Sequence, residues 1–216
     1  MSAASPTALL LDVQRRLESL YALEPESPVT DFLIAEEDAA RYPGGGSRTL
    51  VKEDGGALSV GVVLEEGLCA DLARDDPRVR LSGANLGPFC TLTEEVSHFL
   101  YVLFCARAER SVTQLELELQ GEVDKYLTAV VFLSLQNEGA VSPRLRDLLF
   151  RRYRLAEGLS PERAERYRMA SSLGERYCAH LEARFLRQSR LADLTREARR
   201  FYRLGQREKL EAIADL

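Results

Sequence analysis

Only two histidines occur in the 216 residues, and one of them, His98, follows two carboxylates in the run Glu94-Glu95-Val96-Ser97-His98. Residues three and four apart on a helix are neighbours on one face, so Glu94 and Glu95 both adjoin His98 if the run is helical. Two carboxylates and an imidazole on one turn can ligate a divalent metal, or hold a water beside one with a carboxylate as general base. The same residues have a plainer use: acidic side chains in a first turn favour the helix dipole, and a lone histidine is commonly part of a core. Downstream, Glu118, Glu122 and Lys125 recur at i, i+4 and i+7, the spacing of a solvated salt-bridge face. His180 has no glutamate at i−3 and reads as structural. No serine stands in a G-x-S-x-G elbow, and the Pro43-Gly44-Gly45-Gly46-Ser47 loop lacks the lysine of a phosphate loop.

The elements that must position these residues are legible in outline. Ser5-Pro6 followed by Leu9, Leu10, Val13, Leu17 and Leu20 predicts a helix over 6–22. A short strand is expected at Thr30 to Ile34 and a helical turn near Asp38 to Tyr42. A hairpin is expected over 48–53 and 57–65, with Asp54-Gly55-Gly56 at its turn, then a short helix over 66–73. From Thr91 the chain turns helical, with Thr91-Leu92-Thr93-Glu94 and Ser111-Val112-Thr113-Gln114 spaced as capping boxes. Ser142-Pro143 and Ser160-Pro161 mark two more helix starts, and a pair near 191–203 and 206–214 closes the chain. The fold class expected is α+β: a small antiparallel sheet packed on the His98 helix, then a mostly helical C-terminal part, divided into residues 1–138 and 139–216.

The segment Cys90-Thr91-Leu92-Thr93-Glu94-Glu95-Val96-Ser97-His98 resembles the active helix of zincin metallopeptidases, nearest the ImmA/IrrE-type minimal zincins, whose signature reads approximately F-T-L-A-H-E-L-G-H. The threonine, the leucine, the second acidic residue and the last histidine match. Glu122-Val123-Asp124-Lys125-Tyr126-Leu127 is similar to the family's following ligand helix, E-A-D-x-F-A, and the order of elements agrees over residues 5–135. The resemblance implies Glu95 as the general base, with His98 and Glu122 as metal ligands. Where the family has its first histidine ligand this chain has Glu94, so a carboxylate would replace an imidazole. Zinc accepts carboxylate oxygen, but two carboxylates and one imidazole make a weaker activator of water and shift preference toward harder ions. The resemblance therefore implies either a pseudo-peptidase that binds a protein or peptide, with or without a metal, or a peptidase with an altered ligand set using zinc or another divalent ion.

Composition bounds the alternatives. Residues 151–216 carry 16 Lys/Arg against 10 Asp/Glu, net +6, and residues 1–150 carry 13 against 24, net −11. Arg151-Arg152-Tyr153-Arg154, Arg166-Tyr167-Arg168 and Arg199-Arg200-Phe201-Tyr202-Arg203 interleave cations with aromatics, which suits a helical adaptor for an acidic partner or nucleic acid. Glutamates mixed into that region and the overall net charge of −5 count against a dedicated nucleic-acid binder. The longest apolar run, Phe99 to Ala106, is too short to cross a bilayer, so no membrane partner is expected. Four well-separated cysteines and a non-basic N-terminus point to free thiols in the cytoplasm.

Overall fold

The computed structural model describes residues 6–139, 144–151 and 160–216. Its centre is a pair of helices, α4 (Leu86–Arg107) and α5 (Gln114–Gln136), each buried on nearly every face. The short loop at 108–113 makes them antiparallel neighbours. The seam between them reads in order: Tyr101 donates to Glu116 at 2.6 Å, Ser97 to Asp124 at 2.6 Å, and Lys125 to Glu94 at 2.8 Å.

Helix α4 begins at Leu86, after Asn85, rather than at Thr91. Pro88 falls in its first turn, where a missing N–H costs no hydrogen bond, so it does not delay the helix. Glu94 and Glu95 therefore lie in the third turn, out of reach of the helix dipole, and the dipole account of their presence fails. At the start of α5 the cap is Thr113, which accepts from the Glu116 N–H at 3.1 Å; Ser111 lies outside the helix.

The remaining elements wrap this pair. Helix α1 (Pro6–Tyr21) buries Leu9, Leu10, Val13, Leu17 and Tyr21, and it packs against α4. The strand expected at 30–34 is instead a 3₁₀ turn, Val29–Phe32, because Asp31 N–H closes locally on the Pro28 carbonyl. Only Leu33 bridges onward, in parallel, to Val62. After the short α2 (Glu36–Ala39) come β1 (Arg48–Asp54) and β2 (Ala57–Val63), antiparallel from Arg48↔Val63 to Asp54↔Ala57. The turn needs positive φ twice, and Gly55 and Gly56 supply it at +57° and +84°. Helix α3 (Glu66–Arg74) then leads into α4.

On the other side, α6 (Leu145–Phe150) and α7 (Pro161–Arg184) pack on α5, with Ser160 capping α7 by accepting from Arg163 N–H. The start expected at Ser142-Pro143 lies outside the described residues. Helix α8 (Leu191–Arg203) returns to α1, stacking Tyr202 on Tyr21 with ring centroids 4.0 Å apart, and α9 (Gln206–Ala214) closes the chain. Tyr177, Cys178, Leu181, Phe201 and Tyr202 join Leu9, Phe99 and Tyr126 in one buried cluster, so both parts of the chain share it. Each large aliphatic or aromatic side chain so buried contributes about 1.5–3 kcal/mol. The class is α+β, with one two-stranded sheet among the described residues and a helical C-terminal part. No helix among the described residues is long and apolar enough to cross a membrane. All four cysteines are free, Cys105 and Cys178 buried, Cys69 and Cys90 partly so.

Candidate metal centre

The antiparallel seam brings the acidic strip of α5 onto the His98 turn of α4. Glu94, His98 and Glu118 each offer a ligand atom, and the three atoms lie within 4.8 Å of one another. His98 is 7% exposed, and its Nε2 makes no hydrogen bond, although Glu118 Oε2 stands 3.9 Å away. Space beside that nitrogen is kept open by Gly121: a Cβ there would sit 3.1 Å from Nε2 and 3.4 Å from Glu94 Cγ. A buried imidazole nitrogen without a hydrogen-bond partner, close to two carboxylates, is a group that could hold a divalent cation.

Electrostatics around the ring are unbalanced. Burial lowers the His98 pKa, helped by the Lys125 ammonium and opposed by Glu94 and by a ring hydrogen bond to the Leu117 backbone, and this favours the neutral imidazole. Burial and repulsion from Glu94 push Glu95 and Glu118 up to about 8, partly offset by the Thr49 hydroxyl at Glu95 and by Arg166 at Glu118. Burial also raises Glu122, against the pull of Lys125. Glu94 behaves differently: burial disfavours its charge, but the ammonium of Lys125 and the nearby imidazole outweigh that and hold it below the ordinary carboxylate value. Four acidic side chains thus share the field of Lys125, which contacts only Glu94 and Glu122, while Arg166 acts on Glu118; a bound dication would relieve their mutual repulsion.

The residues singled out by sequence fall into distinct places. Glu94 and His98 come together. Glu95 approaches the ring from the opposite side, its Oε2 4.0 Å from Nδ1, and accepts a hydrogen bond from Thr49 on β1 at 2.8 Å. Glu122 lies on the same face of α5 and pairs with Lys125 at 3.1 Å, outside the close group of three. Its place there is taken by Glu118, one turn earlier. The strip Glu118–Glu122–Lys125 is not a solvated face: Glu118 and Glu122 are buried, 9% and 8% exposed. One signal could have found Glu118. Antiparallel helices joined at 108–113 place residues near 121 opposite His98, and the acidic residues flanking that point on the same face are 118 and 122. His180 is half-buried with its ring edge-on to Phe185, 6.1 Å between centroids, and belongs to no metal-binding group found among the described residues.

In the arginine-rich region, Arg168, Arg187, Arg190, Arg196 and Arg200 pair with Glu165, Glu182, Asp193 and Glu197. Tyr177 and Tyr202 are buried, which removes them as stacking platforms. A cleft of about 300 Å³, bounded by Ala22, Leu23, Phe104, Arg107 and Arg203, lies at the C-terminal end of α4, away from His98. No known protein family, characterised protein or solved structure gives a significant match to the chain.

Proposed function

We propose that this chain is a zincin-like domain that holds a divalent metal ion on Glu94, His98 and Glu118 and binds an extended segment of a protein partner without cleaving it. The observation that carries the reading is the buried, unpartnered Nε2 of His98 facing two carboxylates across the space left by Gly121. A metal bound there would supply Lewis acidity and cross-link α4 to α5. The donor set of two carboxylates and one imidazole fits zinc or manganese.

The position of Glu95 supports binding over hydrolysis. A general base must reach the water on the metal, on the Nε2 side of the ring. Glu95 instead stands on the Nδ1 side, 4.0 Å from that nitrogen and tied to Thr49. The partner is read from β1. That strand pairs only with β2 among the described residues, so a peptide could add along its other edge, beside Thr49 and the site.

Elemental mass spectrometry of the purified protein, with calorimetric titration of zinc and manganese, tests the metal directly. About one metal per chain is expected, and it should be lost in His98→Ala. Absence of metal and of titration heat in the wild type would sink the reading. Hydrolysis of an unstructured protein by the zinc-loaded form, abolished in Glu95→Gln, would replace binding with catalysis.

A further inference from the structure

The seam that carries the candidate ligands also carries a cation of its own. Lys125 is one of only three lysines among 29 basic residues. Its side chain is 15% exposed, and its Nζ lies 2.8 Å from Glu94 Oε2 and 3.1 Å from Glu122 Oε1. Glu94 is therefore shared: it anchors the ammonium and is also one of the three groups gathered at His98 Nε2.

We propose that Lys125 is a resident counter-cation that competes with the divalent metal for Glu94 and so sets the affinity of the site. The proposal rests on the metal-binding reading above and adds its regulation. Like charges a few ångströms apart in a partly buried seam repel strongly, so a metal on Glu94 works against the ammonium already there. Glu122 gives the ammonium a second seat, which it keeps when the metal takes Glu94. This assigns Glu122 a role without making it a ligand. Lysine suits the task because its ammonium is a compact charge on a flexible stem, able to shift from two carboxylates to one. The rigid fork of arginine would hold both in place. Among the described residues, Arg166 on α7 is another cation whose field reaches the group, and it acts on Glu118, whereas Glu94 is paired with Lys125.

The test is zinc and manganese affinity of the full chain, stripped with a chelator and titrated in competition with a chromophoric chelator. Wild type is compared with Lys125→Met and Lys125→Gln, each checked for folding by circular dichroism. Both variants should bind at least tenfold more tightly than wild type. Equal or weaker binding in the variants, with wild type still binding, overturns the role of Lys125 and leaves the metal site standing. No binding by wild type or either variant removes the metal reading and this proposal together. Should the variants fail to fold without metal, their recovery on adding zinc supports the competition, and failure to recover counts against it.

Discussion

Two polar clusters lie along the seam of α4 and α5, built from the same kinds of residue on different faces of α5. Around Asp124 the carboxylate itself is fully engaged, although the nearby Tyr202 hydroxyl has no partner. The Asp124 carboxylate accepts from Tyr21, from Ser97 at 2.6 Å and from Gln120 at 2.9 Å, while Gln120 accepts from the fully buried Lys209 at 2.6 Å. The Lys209 ammonium also rests over the rings of Tyr101 and Phe201, 4.4 and 4.9 Å from their centroids. Around His98 the carboxylates find donors, Thr49 at Glu95, Lys125 at Glu94 and Tyr167 at Glu118, but Nε2 has no partner and Glu118 stands too far from it to accept. A buried polar group left unpaired costs about 1–3 kcal/mol, so a closed network stabilises the fold while an open one stores a deficit that a ligand can relieve. The first cluster ties α1, α4, α5 and α9 together. The second is where function is to be sought.

The contrast is broken most directly by removing one carboxylate from each cluster. Asp124→Ala strands three donors and should cost at least about 3 kcal/mol in urea unfolding. Glu118→Ala in the metal-free protein should change stability by less than about 1 kcal/mol, because it relieves repulsion. Equal losses would mean that both clusters are structural.

The pH dependence separates them by sign. Burial depresses Lys209 to about 7, against the attraction of Glu116 and Asp124. Its contribution is therefore fully present above the unfolded value of 10.5 and lost as pH falls through 7. The stability of wild type minus that of Lys209→Met should rise with pH by about 1.4 kcal/mol per unit between those values. Glu118, raised to about 8 from 4.5, contributes in the opposite sense: its stability is present below 4.5 and lost as pH rises through 8. Wild type minus Glu118→Gln should fall across that window in metal-free protein. Two slopes of the same sign would erase the distinction.

Two glycines sharpen it further. An alanine Cβ at Gly174 would lie 2.8 Å from the Glu122 Cβ, close to the helix backbone, so Gly174→Ala should force α7 from α5 and cost about 1–3 kcal/mol on thermal unfolding. Gly121→Ala meets the end of the His98 ring at 3.1 Å. Helix propensity gained there, about 1 kcal/mol, should offset the crowding and leave stability nearly unchanged. Metal affinity should nevertheless drop about tenfold, an effect visible in the same titration. Unchanged affinity would argue that the space beside Nε2 is not the site.

Much of the fold was legible because it rests on local rules. The Gly55-Gly56 turn, the Ser160 cap and the helices at Leu191–Arg203 and Gln206–Ala214 follow from φ preference, capping and apolar period. The start of α4 at Leu86 is hidden in the pattern because a proline in a first turn interrupts nothing, yet looks like a break. The turn at Val29–Phe32 resembles a strand in sequence because a short apolar run does not reveal whether its backbone bonds will close locally or across a sheet.

The amino-acid order by itself determined the helices, the hairpin and the pairing of Glu94 and Glu95 with His98 on one turn, since each depends on residues a few positions apart. It did not determine which carboxylate of α5 would face that turn, nor that an apparently solvated strip would be buried. Those outcomes came from α7 closing over α5, with Gly174 against Glu122 and Arg166 beside Glu118. Nor did composition single out Lys125 and Lys209 from the many arginines. Their importance comes from burial, which turns a charge that water would screen into one that must find a partner, and burial belongs to the packed chain as a whole.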